Sequence, residues 1–227
     1  MLEVNGLRYK YPDGHEALHG VTFSVKSGEK VALAGANGSG KSTLLLHLAG
    51  ALEVQEGTIT GTKAGLTFQD ADDELLMPTV LEDVAFSLVA GGVSLREAHE
   101  RAMKILVSLG IEHLADRPPH RLSGGEKRMV SFAGVLATGH DVLALDEPSA
   151  GLDPRARRRV IDFLRRTDKT ILLATHDLDM ALDVCSRAVI LSGGTVAAEG
   201  ALPELFRDKE TLEACGLELP LRYSKEA

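Results

Sequence analysis

The sequence predicts an α/β fold, either one large domain or a core with a smaller subdomain. Three observations carry this. Gly35 to Thr43 matches G-x-x-x-x-G-K-[ST] between the strand-forming run Lys30–Ala34 and the helical run Ser42–Ala49, the context of a phosphate-binding loop. Asp141 to Asp146 is an apolar run closed by acids, as in a buried parallel strand whose carboxyl end opens on a ligand crevice. Between the two, helical spacing from Thr79 to Ala137 interrupts the strand pattern.

Taken in order, Leu2 to Tyr11 alternates as a strand, Tyr11-Pro-Asp-Gly14 is a turn, and Val21 to Val25 places three apolar residues on one face. Tyr11 is a candidate platform for a purine ring, with plain packing as the alternative. His15 and His19 flank loop and strand sequence rather than one helix face, so they read as solvated side chains and not metal ligands. In the phosphate loop Gly35, Asn37, Gly38, Ser39 and Gly40 supply inward backbone N–H groups at the positive end of the following helix. Lys41 adds a cation for the β- and γ-phosphates, Ser42 a hydroxyl for Mg²⁺, and Thr43 completes the motif.

Gly57 to Thr60 and Ala64 to Phe68 read as short strands, and Gln69 ends the second. Its amide suits a water or a Mg²⁺ shell near the γ-phosphate, although a polar strand end is ordinary. Asp70 to Glu74 opens like a calcium loop, but Leu75 holds the required glycine place and Leu81 the required glutamate place, which excludes calcium. Leu75-Leu-Met-Pro78 is either a docking surface for a partner or core.

Helices are expected from Thr79 to Ala90 and Ser94 to Leu109, broken by Gly91-Gly92 and stopped by Gly110. Leu122-Ser-Gly-Gly-Glu126 opens another that runs to about Ala137, with Ser123 and Glu126 spaced as a capping box. Gly124 and Gly125 leave N–H groups bare beside the Ser123 hydroxyl. That makes a second anion site, which this chain's own phosphate loop does not need.

At the end of the acidic strand, Asp146 is placed to hold a Mg²⁺ shell and Glu147 to polarise an attacking water. Ser149 to Asp153 is a loop before Pro154, which suits a first helical turn. Arg155, Arg157, Arg158, Arg159, Arg165 and Arg166 form the solvated face of that helix. Thr170 to Thr175 is a strand ending in His176, which can bond a γ-phosphate and position Glu147. Ala188 to Ser192 and Thr195 to Ala198 are a hairpin, and Pro203 to Cys215 a helical finish.

A net charge of −8 argues against a broad nucleic-acid surface. Cys185 and Cys215 form no CxxC pair and read as reduced packing residues of a cytoplasmic protein. No run approaches the ~18 apolar residues needed to span a bilayer, so a membrane role must come through a partner.

GANGSGKST, Gln69, LSGGE, VLALDEP, SAGLD and His176, in this order across nearly the whole chain, resemble the ATP-binding cassette family. The resemblance implies a single domain, 1–227: a P-loop NTPase of the cassette type with a RecA-like mixed-sheet core, an antiparallel β subdomain and a helical subdomain inserted at about residues 70–138. It implies Tyr11 as the adenine-stacking aromatic, Gly35 to Thr43 as the Walker A loop and Gln69 as the Q-loop glutamine. Leu122 to Glu126 would be the signature, Asp146 and Glu147 the Walker B acids, Asp153 the D-loop acid and His176 the switch histidine. Glu126 stands where many members have glutamine.

It also implies ATP and Mg²⁺ as cofactors and a head-to-tail dimer with each ATP between the phosphate loop of one copy and Ser123-Gly124-Gly125 of the other. The dimer is a homodimer or a heterodimer with a paralogous ATPase. Tyr11 to Leu18, Phe68 to Leu75 and Gly216 to Tyr223 resemble the ATPases of energy-coupling-factor importers, particularly the cobalt and nickel group. That implies a peripheral protein on the cytoplasmic face of the membrane, working with a transmembrane coupling protein and a substrate-binding membrane component. Biotin or another vitamin is the alternative cargo, and a soluble cassette ATPase or a nucleotide-binding regulator the alternative class.

Overall fold

The computed structural model describes residues 1–67 and 74–224; Gln69 and the acids Asp70 to Asp73 lie outside the described residues. The chain divides into two compact units. One comprises Met1–Leu66, Asp141–Glu147 and the chain from Thr167, the other Thr67–His140 with Pro148–Arg166.

In the first unit β1 (Leu2–Lys10) pairs antiparallel with β2 (Glu16–Val25) and β4 (Glu56–Thr60), in the order β2-β1-β4. The second sheet runs β5 (Ala64–Thr67), β6 (Val142–Asp146), β7 (Thr170–Ala174), β3 (Lys30–Ala34), β8 (Arg187–Ser192) and β9 (Thr195–Ala201). β6, β7, β3 and β8 are parallel neighbours, while β9 returns antiparallel as the hairpin partner of β8. β6 and β7 are buried at every position, which is why they read as continuous apolar runs rather than alternating ones. Alternation in β1 and β2 turns Leu2, Val4, Leu7, Val21, Phe23 and Val25 into a core shared with Val31, Leu33 and Leu44. β2 begins earlier than its Val21–Val25 pattern announced, because Glu16 to His19 pair with the end of β1 through a shifted register.

Arg187 ties four segments of this unit together. Its guanidinium donates to Glu29 Oε1 at 2.7 Å, Glu29 Oε2 at 3.0 Å, the Ser24 carbonyl at 2.6 Å and Glu199. The Arg187 bonds are the main reason that the Glu29 carboxyl is held below its ordinary value of 4.5. A carboxyl depressed in the folded state contributes stability that is fully present above its unfolded value and is lost as pH falls through the folded one. Arg187→Met should therefore cost about 2 kcal/mol at neutral pH, since the half-buried Glu29 carboxylate loses its ion pair and keeps the Lys26 N–H bond. The deficit should shrink below pH 4.5, as followed by denaturant melts at several pH values.

The second unit is helical. α2 (Val80–Ala90) starts on a Thr79–Glu82 capping box and α3 (Leu95–Leu109) on Ser94, with Gly110 in the left-handed conformation as its stop. α4 (Gly124–Ala137) and α5 (Pro154–Arg166) complete it, with Phe132 of α4 6.0 Å from Phe163 of α5 between ring centres. The remaining helices belong to the first unit: α1 (Lys41–Ala49), α6 (Leu178–Val184), α7 (Leu202–Leu205) and α8 (Lys209–Ala214). The helical finish is thus two short pieces, because Asp208 caps α8 through Thr211 and divides the run. Cys185 and Cys215 are free and buried at the ends of α6 and α8, and burial pushes the Cys185 thiol up to about 12.

Candidate functional site: a phosphate loop facing a pinned carboxylate

Sheet register builds the site. Leu33 of β3 and Asp146 of β6 are both level with Ala174 of β7, the strand between them. The chain leaving each carboxyl end therefore arrives at the same edge: the phosphate loop after β3, Glu147 after β6 and His176 after β7. Sequence separation is large, but the parallel topology removes it.

The loop is shaped by close approach. A Cβ on Gly35 would collide with the Leu191 carbonyl and the Ser39 hydroxyl, and Gly40 needs φ 102° to turn the chain into α1. Asn37 and Gly38 are the exposed tip. Lys41 is buried, with its Nζ donating to the carbonyls of Gly35 at 2.7 Å and Ala36 at 3.1 Å. Burial lowers its pKa, against the opposing charges of Glu147 and Asp146. The Ser39 hydroxyl is buried and has no partner among the described residues. A loop that offers an unpaired hydroxyl, a buried ammonium and the N-terminus of α1 fits an anion.

Ser42 Oγ donates to Asp146 Oδ2 at 2.6 Å, two oxygens of the kind that a hard divalent cation takes. Glu147 is nearly buried and is the one non-glycine described residue with positive φ, at 44°. Such a backbone persists only where its surroundings hold it. Here its N–H bonds the Ala174 carbonyl at 2.9 Å, its Oε2 accepts from Thr175 Oγ1 at 3.0 Å, and its Oε1 accepts from the His176 N–H at 2.9 Å. The His176 ring meets Oε1 through Nδ1 at 2.8 Å while remaining largely exposed. This is a fixed carboxylate bonded to an exposed imidazole, a pair able to accept a proton and to hand one on. Thr175, which the sequence reading did not single out, fixes the second oxygen. A threonine closing an apolar strand gives no distinctive signal.

Tyr11 packs edge-on against Tyr9, with centroids 4.9 Å apart, and its hydroxyl meets Thr43 Oγ1 at 3.1 Å. His15 stacks on its ring at 6.3 Å, and His19 pairs with Glu16 at 3.4 Å. Among the described residues no cluster of His, Cys, Asp and Glu could hold a metal by itself.

The remaining predicted residues lie in the second unit. Ser123 Oγ donates to Glu126 Oε2 at 2.7 Å and accepts from the Glu126 N–H at 3.4 Å, while that carboxylate accepts from the Ser123 N–H at 2.8 Å. These bonds hold the Glu126 carboxyl below the ordinary range. Gly124 opens on free space, whereas a Cβ on Gly125 would come within 2.7 Å of Ala156 Cβ, so that glycine has a packing reason as well. Asp153 Oδ1 caps α5 by accepting from the N–H groups of Arg155 at 2.8 Å and Ala156 at 2.9 Å.

Comparison with known proteins gives the family. The ABC transporter family profile matches residues 18–150. The Streptomyces coelicolor protein named "Putative ABC transporter ATP-binding protein SCO3161" is 47% identical, over 98% of this chain and 91% of its own. The "Energy-coupling factor transporter ATP-binding protein EcfA" of Methanosphaera stadtmanae is 38% identical over 97% and 86%. The solved structure of CbiO1 from Clostridium perfringens, part of the ABC transporter complex CbiONQ, superposes with a TM-score of 0.81 at 35% identity, covering 100% of this chain and 98% of that one. A cassette fold, a complete phosphate loop and full-length relatives of one kind leave a single assignment: the chain belongs to the ABC transporter family, as an ATP-binding and ATP-hydrolysing subunit.

Proposed function

We propose that this subunit hydrolyses ATP between two copies of the cassette and so energises an importer of the energy-coupling-factor type, with cobalt or nickel as cargo. The observation that carries the chemistry is the Glu147 carboxylate, fixed by Thr175 and the His176 N–H at the sheet edge that bears Lys41. The loop N–H groups, Ser39, Lys41 and Thr43 bind the triphosphate, and Tyr11 carries the base. Glu147 takes the proton of the attacking water, and His176 holds Glu147 and reaches the γ-phosphate. Ser42 and Asp146 would hold Mg²⁺, which would supply charge neutralisation at the β- and γ-oxygens. Gln69 joins that group as a positioning residue.

Ser123, Gly124 and Gly125 serve the γ-phosphate of the opposite copy, and Asp153 lines the same junction. Support comes from the bare Gly124 and from a serine held ready at a helix start. Replacing Ser123 with Arg should leave ATP binding to the monomer intact while lowering turnover at least about 100-fold, because an oriented charge-stabilising donor is lost and the junction is blocked. Light scattering with ATP and phosphate release check this. Full turnover by a monomeric Ser123→Arg protein would end the sandwich reading.

A transporter of the energy-coupling-factor type is supported by the likeness to EcfA, and a part in a transporter complex by the likeness to CbiO1. The membership of the ABC transporter family supports a chain that works from the cytoplasmic face through membrane partners; no helix among the described residues is long and apolar enough to cross a membrane. The helical unit offers a groove lined by Glu74, Leu75, Asp83, Phe86 and Val130, beside the exposed Leu76. Asp83 Oδ2 and Ser87 Oγ are buried there with no partner among the described residues, and burial raises the Asp83 carboxyl against the N–H bonds from Met77 and Leu76. A helix of a transmembrane coupling protein carrying a basic residue fits this groove. Purifying the membrane complex and measuring which of Co²⁺, Ni²⁺ or biotin is taken up with ATP turnover tests the cargo. Copurification with ribosomes or DNA and no membrane protein would favour a soluble cassette.

A further inference from the structure

The chain after α8 returns to the site as a strap. At its start a Cβ on Gly216 would come within 3.3 Å of Ala36 Cβ in the phosphate loop. Leu217 and Pro220 are buried, and Leu217, Leu219 and Pro220 line a hollow of about 230 Å³ together with His176 and Asp177. At its end the strap grips α6. The Leu221 N–H donates to Asp179 Oδ2 at 2.9 Å, the Arg222 N–H to Asp179 Oδ1 at 3.2 Å, and Arg222 Nη2 to Asp183 Oδ1 at 2.9 Å. Behind it Tyr223 turns back, with its N–H on the Pro220 carbonyl at 2.9 Å and the Arg207 guanidinium 4.4 Å from its ring centre.

The element gripped is the one that carries the switch. α6 has seven residues and begins directly after His176-Asp177, with Asp177 as its cap. A helix so short has no stability of its own, and its place is set by whatever holds its two faces. Leu178, Met180, Ala181 and Val184 fix the inner face in the core. On the outer face Asp179 and Asp183 stand one turn apart, and both are bonded to the strap. The His176 ring, by contrast, is largely exposed and touches Glu147 through a single bond.

We propose that Arg222 is a positioning residue for ATP hydrolysis: by clamping Asp179 and Asp183 it fixes the start of α6 and with it His176 over Glu147. The inference rests on the role given to His176 above. It makes the strap a mechanical link between the phosphate loop and the switch, one that lines the same hollow as His176.

The test is steady-state ATP turnover by the full chain. Arg222→Gln should lower kcat about threefold to fivefold, the range that a partly exposed ion pair supplies, with KM for ATP unchanged. Arg222→Lys, which keeps the charge, should recover most of the loss. In a His176→Ala background, Arg222→Gln should change the residual rate no further, since residues acting through one group are not additive. Asp183→Asn removes the same pair from the other side and should reproduce the kcat loss, which keeps the test decisive if Arg222→Gln folds poorly. Undiminished kcat in both Arg222→Gln and Asp183→Asn, or a further proportional loss on top of His176→Ala, would overturn the proposal. If His176→Ala alone costs nothing, the role of His176 itself fails, and that result is distinct from an additive one.

Discussion

Glu147→Gln is expected to bind ATP as the wild type does and to release phosphate about 10²- to 10⁴-fold more slowly, the range over which a positioned general base contributes. The substitution is close to isosteric. The amide oxygen can take the place of Oε1 and accept from the His176 N–H, now at 2.9 Å, while the amide NH₂ in the place of Oε2 donates to the Thr175 hydroxyl oxygen, now at 3.0 Å, so the left-handed backbone at φ 44° keeps its supports. What disappears is a basic oxygen for the proton of water. The expected signature is therefore a split between binding and chemistry: nucleotide affinity within a few-fold of wild type, and ATP-bound dimers that persist because nothing dissolves them. Stability should change little, since one charge-assisted acceptor becomes a neutral one, a difference of about 1 kcal/mol. Single-turnover phosphate release alongside equilibrium nucleotide binding decides the matter. A variant that binds and hydrolyses at the wild-type rate removes Glu147 from its role.

Much of this site is legible in the sequence because parallel sheets place function at strand ends. The loop after β3 and the acids after β6 each combine an apolar run with an abrupt change to glycine or carboxylate, and that contrast survives without any tertiary information. The caps are legible for the same local reason. Ser123 with Glu126 and Thr79 with Glu82 bond within four residues, as their spacing says.

Less legible is whatever depends on approach from far along the chain. Thr175 matters only because β6 delivers Glu147 beside it. Gly125 has a reason that Ala156 supplies. Arg222 reads as an ordinary residue near the end of the chain until the strap is seen against Asp179 and Asp183. Arg187 likewise looks like any strand-edge cation, yet it joins β2, β8, β9 and the turn before β3. Local pattern locates the candidate ligand-binding residues, whereas residues that hold other residues in place are found by distance.

Lys41→Ala should have the largest effect on binding. The Lys41 ammonium is buried at 7% exposure and satisfied by two loop carbonyls, at 2.7 and 3.1 Å. Burial pulls its pKa below 10.5, so carrying the proton costs the folded state something. A polyphosphate replaces neutral carbonyl acceptors with charged oxygens, and each charge-assisted bond is worth about 1.5–3 kcal/mol. Losing the ammonium should weaken ATP binding by about 3–4 kcal/mol, which is 10²- to 10³-fold in Kd.

The unliganded variant should be no less stable than wild type, because the desolvated cation goes with the bonds. The sign with pH follows. A lysine whose pKa is lowered on folding binds fewer protons folded than unfolded, so unliganded wild type gains stability as pH rises toward 10.5 and Lys41→Ala lacks that component. Ligand stabilisation discriminates most sharply. At an ATP concentration about 100 times the wild-type Kd, the wild type should gain about 2.7 kcal/mol on melting and the variant under about 0.5. Equal thermal shifts for the two proteins would mean that the triphosphate is held by the loop backbone and Ser39 alone, with Lys41 a buried strut of the fold.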